Sequence, residues 1–374
     1  MTSLRIKALR GFVFIALLIS QQSVFALLNI DGTRNQVFVF GSATIGFDSN
    51  VFAEQVGRSD YIYSASLGVE LKRRAGIIAV NARVVFDYQK FAQNSDQTSW
   101  NPNLFLELNK TIGRTTGALT INGYRSSKAD SAVNVRTQSW NFPLGLNIKY
   151  PVNDKLYLTS STGYLKRSFV NTTQLLNYTD YSQAFDFFYV YTSKLDIVGG
   201  YRIRIGNTNV NTTTDHNFTL GLANALLPKV HGVLRLGYQF REVDNTGAIY
   251  SHFNIAATLT WNVTRKLTAS AQITRDFSTT AVGGSIDTFN TLVRANYVFS
   301  RRWEAEAGVG YGKNEFLDGP ARTDEYFTWN IGGTFTWSEH FRLSATYEYM
   351  NNWSTNLFSN FERTGYSLHV ASRF

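Results

Sequence analysis

Histidine, serine, asparagine and aspartate are the side chains of this sequence that could carry out hydrolysis. His252 and Asn254 lie two residues apart on one face of a predicted strand, and hydrolases use such groups in Ser-His-Asn or Asp-His sets. These residue types are common on any polar surface, however, and no two histidines have the spacing of metal ligands within one strand. The sequence therefore predicts a protein that is not an enzyme and that uses no cofactor or metal. Its five histidines are His216, His231, His252, His340 and His369.

Composition narrows the class of protein further. The 374 residues include no cysteine, which excludes disulfides, thiolate zinc sites and a cysteine nucleophile. Charged residues make up 17% of the chain, and the aromatic share of 15% is too high for a disordered chain. Folded elements must therefore position any functional side chain.

The N-terminus has the pattern of a secretory signal peptide. A basic stretch that ends at Arg10 precedes the apolar run 11–19, and Val24-Phe25-Ala26 fits a small-residue cleavage site. The apolar run is short against the ~20 residues of a spanning helix, which disfavours the alternative of an N-terminal membrane anchor. We expect cleavage after Ala26, so that residues 1–26 are the signal peptide and residues 27–374 the exported domain.

Alternation with a period of two dominates the rest of the chain. In the segment 61–71, for example, Tyr63, Leu67 and Leu71 share one face, and Ser64 and Ser66 share the other. About 18 such segments, with 16 as the alternative, follow one another at lengths of ~10–14 residues, which suits tilted membrane strands. The predicted fold is all-β: a transmembrane, antiparallel, up-and-down β-barrel.

Short and long connections alternate along the chain, as the periplasmic turns and external loops of outer-membrane barrels do. A long loop such as 313–324 is predicted to be able to fold inward and close the lumen. Pro143 cannot donate to a sheet ladder, so a bulge or a later strand start is expected there. The predicted long loops are 48–58, 125–136, 241–247, 277–286, 313–324 and 350–363.

Aromatic residues flank several of the short polar turns. The similar hairpins at 259–267, 297–303 and 335–341 would place these side chains at one level on the outer wall, as in the aromatic girdle of a membrane interface. A row of core aromatics in a soluble sandwich is the alternative. The predicted girdle residues are Trp261, Phe299, Trp303, Trp337 and Phe341.

The C-terminal strand alternates and ends on an aromatic residue. It resembles the strand signal of outer-membrane proteins that is read by the barrel-assembly machinery, although Ser372 departs from the apolar residue usual at its position. Backbone groups in lipid must all be bonded within the chain, so a strand protein can span a membrane only as a closed barrel. The predicted assembly-signal residues are Tyr366, Leu368, Val370 and Phe374.

Several motifs together resemble one family. They are residues 46–52 (GFDSNVF), residues 274–277 (TRDF), the repeated aromatic hairpins and the C-terminal segment 363–374. In these features the chain is similar to the putative β-barrel porin 2 family over most of residues 40–374. The resemblance implies an outer-membrane barrel of porin type, often encoded beside exopolysaccharide-biosynthesis genes, and it implies no catalytic residues.

The face opposite the apolar one carries charged side chains, which would line the lumen. A barrel of ~16–18 strands is wide enough for a water-filled channel, and rings of charge inside it can set ion selectivity. Pairing across strands to brace the wall is the alternative, and both roles can hold for one residue. Lys149 and Asp196 share this face. The main pore-lining candidates are Arg83, Asp87, Glu107, Arg202, Arg204, Arg235, Arg294, Glu304, Glu306, Arg342 and Glu348.

Four aromatic residues, Phe105, Phe185, Phe187 and Tyr189, are also predicted to point inward, where they could form a track for sugars or fill the lumen. The predicted function is a porin-like channel for small solutes or a conduit linked to exopolysaccharide export, in the outer membrane of a Gram-negative bacterium. The alternatives are a non-conducting structural or adaptor barrel of an envelope assembly and an outer-membrane enzyme. The expected partners are outer-membrane lipid, lipopolysaccharide, the barrel-assembly machinery and exopolysaccharide, but not nucleic acid.

Overall fold

Strands make up nearly all of the computed structural model, which describes residues 28–29, 35–74, 76–133, 135–170 and 175–374. The other elements in these ranges are two short 3-10 turns, Ser95–Gln97 and Leu357–Ser359. No helix of the described chain is long and apolar enough to cross a membrane. The predicted signal peptide, 1–26, with its cleavage site at Ala26, lies outside the described residues.

The strands follow one another along the chain with little else between them. Their bounds are β1 Leu28–Asn29, β2 Asn35–Asp48, β3 Asp60–Arg73, β4 Ile78–Phe91, β5 Ser99–Lys110, β6 Thr116–Asp130, β7 Val135–Pro151, β8 Leu156–Phe169, β9 Tyr178–Val190, β10 Leu195–Thr208, β11 Thr212–Leu227, β12 Val230–Val243, β13 Ala248–Asn262, β14 Leu267–Thr279, β15 Ser285–Val298, β16 Trp303–Phe316, β17 Arg322–Thr336, β18 Phe341–Ser354 and β19 Phe361–Arg373.

These strands form one closed sheet. Each of β2–β18 pairs antiparallel with the next strand, and β19 pairs with β2 in a register that runs from Gly365 opposite Asp48 to Arg373 opposite Phe40. The wall therefore has the 18 strands β2–β19, which confirms the predicted barrel and the higher of the two predicted strand counts. The two residues of β1 pair beside β2.

The outer face of the wall is apolar. In β3, Leu67 and Val69 are exposed, while Ser64 and Ser66 face a cavity inside the barrel. Broad exposed apolar surface on a folded protein indicates contact with another apolar phase. The closed ladder meets the requirement that lipid places on backbone groups.

Aromatic side chains lie on the outer face near the end with the short turns. Trp261, Phe299, Trp303 and Trp337 are between 50% and 72% exposed, and Phe341 packs edge-on against a neighbouring ring. These are the positions that a membrane-interface girdle requires. A second outer band, near the other end, was not predicted from the sequence; it includes Tyr61, Trp100, Trp140 and Trp353.

The strands extend further toward the loop end than the sequence predicted. Because pairing beyond the membrane needs no apolar face, polar segments continue the ladder without a hydrophobic signal. The loop predicted at 313–324 is shorter than expected, since β16 continues to Phe316 and β17 begins at Arg322. Of the predicted long loops, only the first keeps its length, as residues 49–59. The other five shrink to 131–134, 244–247, 280–284, 317–321 and 355–360.

Pro143 lies inside β7 without a bulge, so both alternatives predicted for it are wrong. It stands opposite Leu165 of β8, and the offset between β6 and β7 is the same on both sides of it. The β6–β7 ladder has no pairing at Pro143 and its neighbour Phe142, whose ring packs over Gly123. A local gap in one ladder accommodates the missing N–H.

Candidate functional site: the lumen and its narrowed mouth

All eleven predicted pore-lining residues lie on the inner face of the wall. Side chains alternate between the two faces of a strand. Each of the eleven lies on the face opposite the exposed apolar residues of its strand, as Arg83 lies opposite Val84 and Phe86 on β4. Three of them form ion pairs: Arg202, Arg204 and Arg235. The other eight form no ion pair in the described part of the chain. They are Arg83, Asp87, Glu107, Arg294, Glu304, Glu306, Arg342 and Glu348.

Several cavities open on this inner face, and two of them are bordered by predicted pore-lining residues that lie at different heights. One, of about 590 Å³, is bordered by Arg294, Glu306 and Glu348 among hydroxyl and amide side chains. The other, of about 650 Å³, lies nearer the short turns and is bordered by Lys149 and Arg235. An unpaired charge is tolerated beside water but not in an apolar interior, so this arrangement is that of a hydrated lumen.

Arg235 braces the wall across three strand boundaries. Its guanidinium, on β12, reaches the Asp186 carboxylate on β9, with an Nη1–Oδ1 distance of 2.5 Å. Glycines on the two strands between them, Gly200 and Gly221, leave the inner face open for this side chain. A Cβ at Gly200 would overlap the Asp186 carboxylate, and one at Gly221 would come within 2.9 Å of the Arg235 Cα.

The wall splits toward the loop end, between β13 and β14. These strands pair from Asn262 opposite Thr268 up to Ile255 opposite Arg275, and not beyond. Above that point β14 stays paired with β15 but moves to the inner side of β13. We call residues 276–286, the upper ends of β14 and β15 with their connection, the inner hairpin.

Backbone carbonyls of the inner hairpin accept hydrogen bonds from lumen-facing side chains of strands that are not its neighbours. Arg204 of β10 donates to the Phe277 carbonyl at 2.5 Å, and Arg241 of β12 donates to the Ser278 carbonyl at 2.7 Å. Both arginines point inward. The inner hairpin therefore lies inside the barrel, against β10–β12, and narrows the mouth.

A cluster of charges fastens the inner hairpin in this position. Asp276 accepts hydrogen bonds from Arg202 at 2.9 Å, from Arg204 at 3.2 Å and from Gln239 at 2.7 Å. Asp215 of β11 binds both Arg204 and Arg241, and the side chains of Asp215 and Arg241 are only 2% and 1% exposed. Charges buried this deeply require partners, so the carboxylates and guanidiniums hold one another in place.

The outer side of the split is filled by a second cluster. His252 Nδ1 lies 3.0 Å from the Asp287 carboxylate, and its ring stacks on Phe277 at 4.1 Å between centroids. Arg275 binds the same carboxylate at 2.7 Å. Among the described residues, no hydroxyl hydrogen-bonds to His252, so this pair lacks the nucleophile that a hydrolase of the Ser-His-Asn kind needs.

The connection 49–59 and the β6–β7 hairpin cover another part of the mouth. Val51, Phe52 and Phe91 form a buried apolar cluster, and Arg136 of β7 stacks on Phe91 and donates to the Val51 carbonyl at 3.3 Å. From β17, Arg322 donates to the carbonyls at the hairpin tip, at 3.0 Å to residue 131 and 2.9 Å to residue 132. The β6–β7 hairpin thus reaches across to strands that are not its neighbours.

A further contact spans the mouth near the inner hairpin. The Leu176 N–H, between β8 and β9, donates to the Ala281 carbonyl at the tip of the inner hairpin, with an N–O distance of 2.8 Å. The side chains of Leu176 and Val210 lie against Gly283 of the same tip. The loop end of the barrel is therefore narrowed from three directions, whereas the short-turn end has no comparable cover among the described residues.

Three of the four aromatic residues predicted to point inward point outward instead. Phe185, Phe187 and Tyr189 are 57%, 50% and 39% exposed on the outer wall. The sequence of β9 has aromatics on both faces, and the pairing of Asp186 with Arg235 turns the odd-numbered residues outward. Phe105, opposite Arg83 in the register of β4 and β5, lies on the inner face.

Sequence reasoning missed the partners that fasten the inner hairpin: Asp215, Gln239, Arg241 and Asp276. One signal was available, since Asp276 stands in the motif TRDF at 274–277, where a buried Phe277 follows it. The motif GFDSNVF at 46–52 likewise holds mouth residues. Its Asp48 binds Arg363, with an Nη2–Oδ2 distance of 2.6 Å, and its Val51 and Phe52 are buried.

The C-terminal strand closes the barrel. Tyr366, Leu368 and Val370 lie exposed on its outer face, and the Phe374 backbone exchanges hydrogen bonds of 2.9 and 3.2 Å with Val39 of β2. The predicted assembly-signal residues are therefore at the seam where the last strand meets the first strand of the wall. Their reading by assembly machinery stays a prediction.

Solved structures with a similar fold are outer-membrane barrels. OpdO of Pseudomonas aeruginosa matches with a TM-score of 0.53 at 11% identity, over 93% of this chain and 98% of that one. OpdQ of Pseudomonas aeruginosa matches with a TM-score of 0.51 at 10% identity, over 91% of this chain and 98% of that one. The FrpB iron transporter of Neisseria meningitidis matches with a TM-score of 0.50 at 10% identity, over 88% of this chain but 64% of that one.

At these identities the structural matches show the fold alone. No curated protein matches the sequence. The motif at 46–52 lies outside the part of the sequence that a family model matches, whereas the motif at 274–277 and the C-terminal segment lie within it. Over residues 214–374, the sequence matches the family described as putative β-barrel porin 2, which confirms for that part of the chain the family resemblance seen in its motifs.

Proposed function

We propose that the protein is a porin-like channel of the Gram-negative outer membrane, for small hydrophilic solutes. The observation that carries this proposal is a set of eight charged residues on the inner face of a closed wall that form no ion pair with any described residue. Glu304 and Glu306 are exposed there, and Arg294 and Glu348 border a luminal cavity. A lumen sealed against water would leave these charges unsolvated, at a cost of several kcal/mol each.

The channel is narrow at its loop end. The inner hairpin and the β6–β7 hairpin both occupy the mouth, held by Asp276 and by Arg322 respectively. We therefore expect a small conductance, set by the mouth rather than by the diameter of an 18-stranded wall. The same contacts favour a second candidate function, a non-conducting barrel of an envelope assembly, in which the mouth stays shut.

Export of exopolysaccharide is a finer proposal that rests on the family resemblance. The predicted sugar track does not support it, because Phe185, Phe187 and Tyr189 face outward. Phe105, Tyr157 and Phe188 remain on the inner face, and Tyr157 and Phe188 stack on each other at 4.5 Å between centroids. Phe188 borders the cavity of about 650 Å³ but is only 8% exposed, and Lys149 covers the Tyr157 ring, so this stack offers little aromatic surface to a sugar.

Planar bilayer recording of the refolded mature chain tests the channel proposal. We expect steady single-channel current whose ion preference shifts toward anions when Glu304→Gln and Glu306→Gln are introduced together, since both carboxylates face the lumen. Trp337→Phe, on the outer wall, is the control and should leave the current unchanged. A folded, heat-modifiable barrel without current would reject the channel and favour the non-conducting barrel.

A further inference from the structure

The short-turn end of the barrel is strongly basic, and the loop end is not. The eight short turns, residues 74–77, 111–115, 152–155, 191–194, 228–229, 263–266, 299–302 and 337–340, contain nine Lys and Arg against two acidic residues. The nine connections at the loop end contain one Arg against four acidic residues. The barrel is therefore electrically polar along its axis.

One position in six consecutive short turns accounts for much of this charge. It is the residue directly before strands β8, β10, β12, β14, β16 and β18. In each of the six turns, the backbone carbonyl of this residue accepts a hydrogen bond from an N–H at the end of the next strand. The N–O distances are 2.8 to 3.0 Å. The shared backbone geometry places the six residues at one level around the rim. We call them the basic ring: Lys155, Lys194, Lys229, Lys266, Arg302 and His340.

Alternation places the basic ring on the lumen side of the rim. The residues two positions further on face inward, as Tyr157 and Asp196 do after Lys155 and Lys194, and as Glu304 does after Arg302. The ring is exposed to water. The side chains follow the rim, since Lys229 and Lys266 each donate to a carbonyl of the next turn at 3.1 Å.

The charges of the ring have no ion-pair partners in the part of the chain that the structure describes. Two of the lysines donate hydrogen bonds to backbone carbonyls, but a neutral carbonyl does not cancel the charge of an ammonium group. Rings of Lys and Arg at a pore entrance concentrate anions there, over a range of about 8 Å at physiological ionic strength.

We propose that the basic ring binds anionic solutes, those with carboxylate or phosphate groups, at the periplasmic entrance of the lumen. This inference rests on the proposed channel and names its substrate class. Phosphates could also come from lipid headgroups, but the ring lies on the inner rim, whereas the outer rim at this level carries aromatics such as Trp261 and Trp337. The substrate would then pass the cavity bordered by Lys149 and Arg235.

Ion preference in a phosphatidylcholine bilayer, under a KCl gradient, tests the proposal. We expect the wild type to prefer chloride, and a ring triple variant, Lys155→Gln, Lys194→Gln and Lys229→Gln, to lower that preference by roughly twofold or more. The matched control is Lys90→Gln, Lys128→Gln and Lys166→Gln, which removes the same charge from exposed lysines nearer the loop end. Equal effects of the two triples would overturn the proposal.

A binding measurement makes the test independent of conduction. Calorimetric titration of the barrel, folded in uncharged detergent, with tripolyphosphate should show binding that the ring triple weakens several-fold and the control triple does not. Absence of current with this binding intact would reject the channel but keep the anion site. If the ring triple loses only binding to phosphatidylglycerol vesicles, and not to tripolyphosphate, the ring binds lipid and the proposal is wrong.

Discussion

Adjacent glycines on β10 show how closely single residues control the inner face. Gly200 points inward, where an added Cβ would overlap the Asp186 carboxylate that binds Arg235, whereas a Cβ on Gly199 would meet nothing within 4 Å. We expect Gly200→Ala to destabilise the barrel by about 1–3 kcal/mol, the usual cost of overpacking. Gly199→Ala, its control, should be neutral or stabilising, because alanine in a strand loses less entropy on folding. The free energies of unfolding of the two variants are compared by urea titration in detergent, followed by tryptophan fluorescence. Equal losses of stability would contradict the inward orientation of Gly200.

Asp276 is the residue on which the inner hairpin depends most directly. Asp276→Asn removes the charge that Arg202 and Arg204 bind while keeping an oxygen for Gln239. We expect the inner hairpin to leave the mouth part of the time, so that single-channel conductance rises and open–closed noise increases. Glu348→Gln, which also removes one luminal carboxylate, should change ion preference without adding noise. A quiet, unchanged channel in Asp276→Asn would show that the charge cluster does not hold the mouth.

Residues on the inner face were predictable where alternation was unambiguous, and their partners were not. Glu304 and Glu306 alternate with Trp303 and other apolar residues, so their face followed from the sequence. Arg204 binds Asp215 on the next strand but also Asp276, four strands away, and no local pattern encodes that distance. In β9, where aromatics occupy both faces, the orientation depends on a contact of Asp186 with another strand, and the prediction failed.

The inner hairpin is an element whose position can be tested with an engineered disulfide, since the chain has no cysteine of its own. The Leu176 N–H donates to the Ala281 carbonyl at 2.8 Å, and one such bond keeps two Cα atoms within the range of roughly 4.4–6.8 Å that a disulfide requires. We expect Leu176→Cys with Ala281→Cys to cross-link under oxidation and to lower conductance, and reductant to restore it. Each single cysteine variant is a control that should not respond. Cross-linking without any change in conductance would mean that this contact lies away from the conducting path.

Elements were predicted well inside the membrane and poorly above it, for a physical reason. Lipid requires an apolar face on every strand, so each membrane-spanning segment can be recognised in the sequence by its alternation of apolar and polar residues. Above the membrane that requirement ends, and the polar extensions of β16 and β17 resemble loops in sequence. The split between β13 and β14 also has no signal in the sequence. When a strand leaves its partner, its pairing changes but its alternation of apolar and polar residues does not.

The axial polarity of the whole barrel predicts how it should rectify. Cations of the basic ring stand at one entrance, and Asp244 and Asp318 are among the acidic residues at the other, beside the narrowed mouth. At low salt, anions accumulate at the first entrance and are depleted at the second, so current of one sign should exceed the other. Screening shortens to about 3 Å at 1 M salt, and the asymmetry should then disappear while the conductance itself rises. Current–voltage curves of oriented single channels, measured from low to high KCl, make the comparison. Rectification that persists at 1 M salt would contradict this electrostatic origin, and a change of that rectification in Asp276→Asn would then assign it to movement of the inner hairpin.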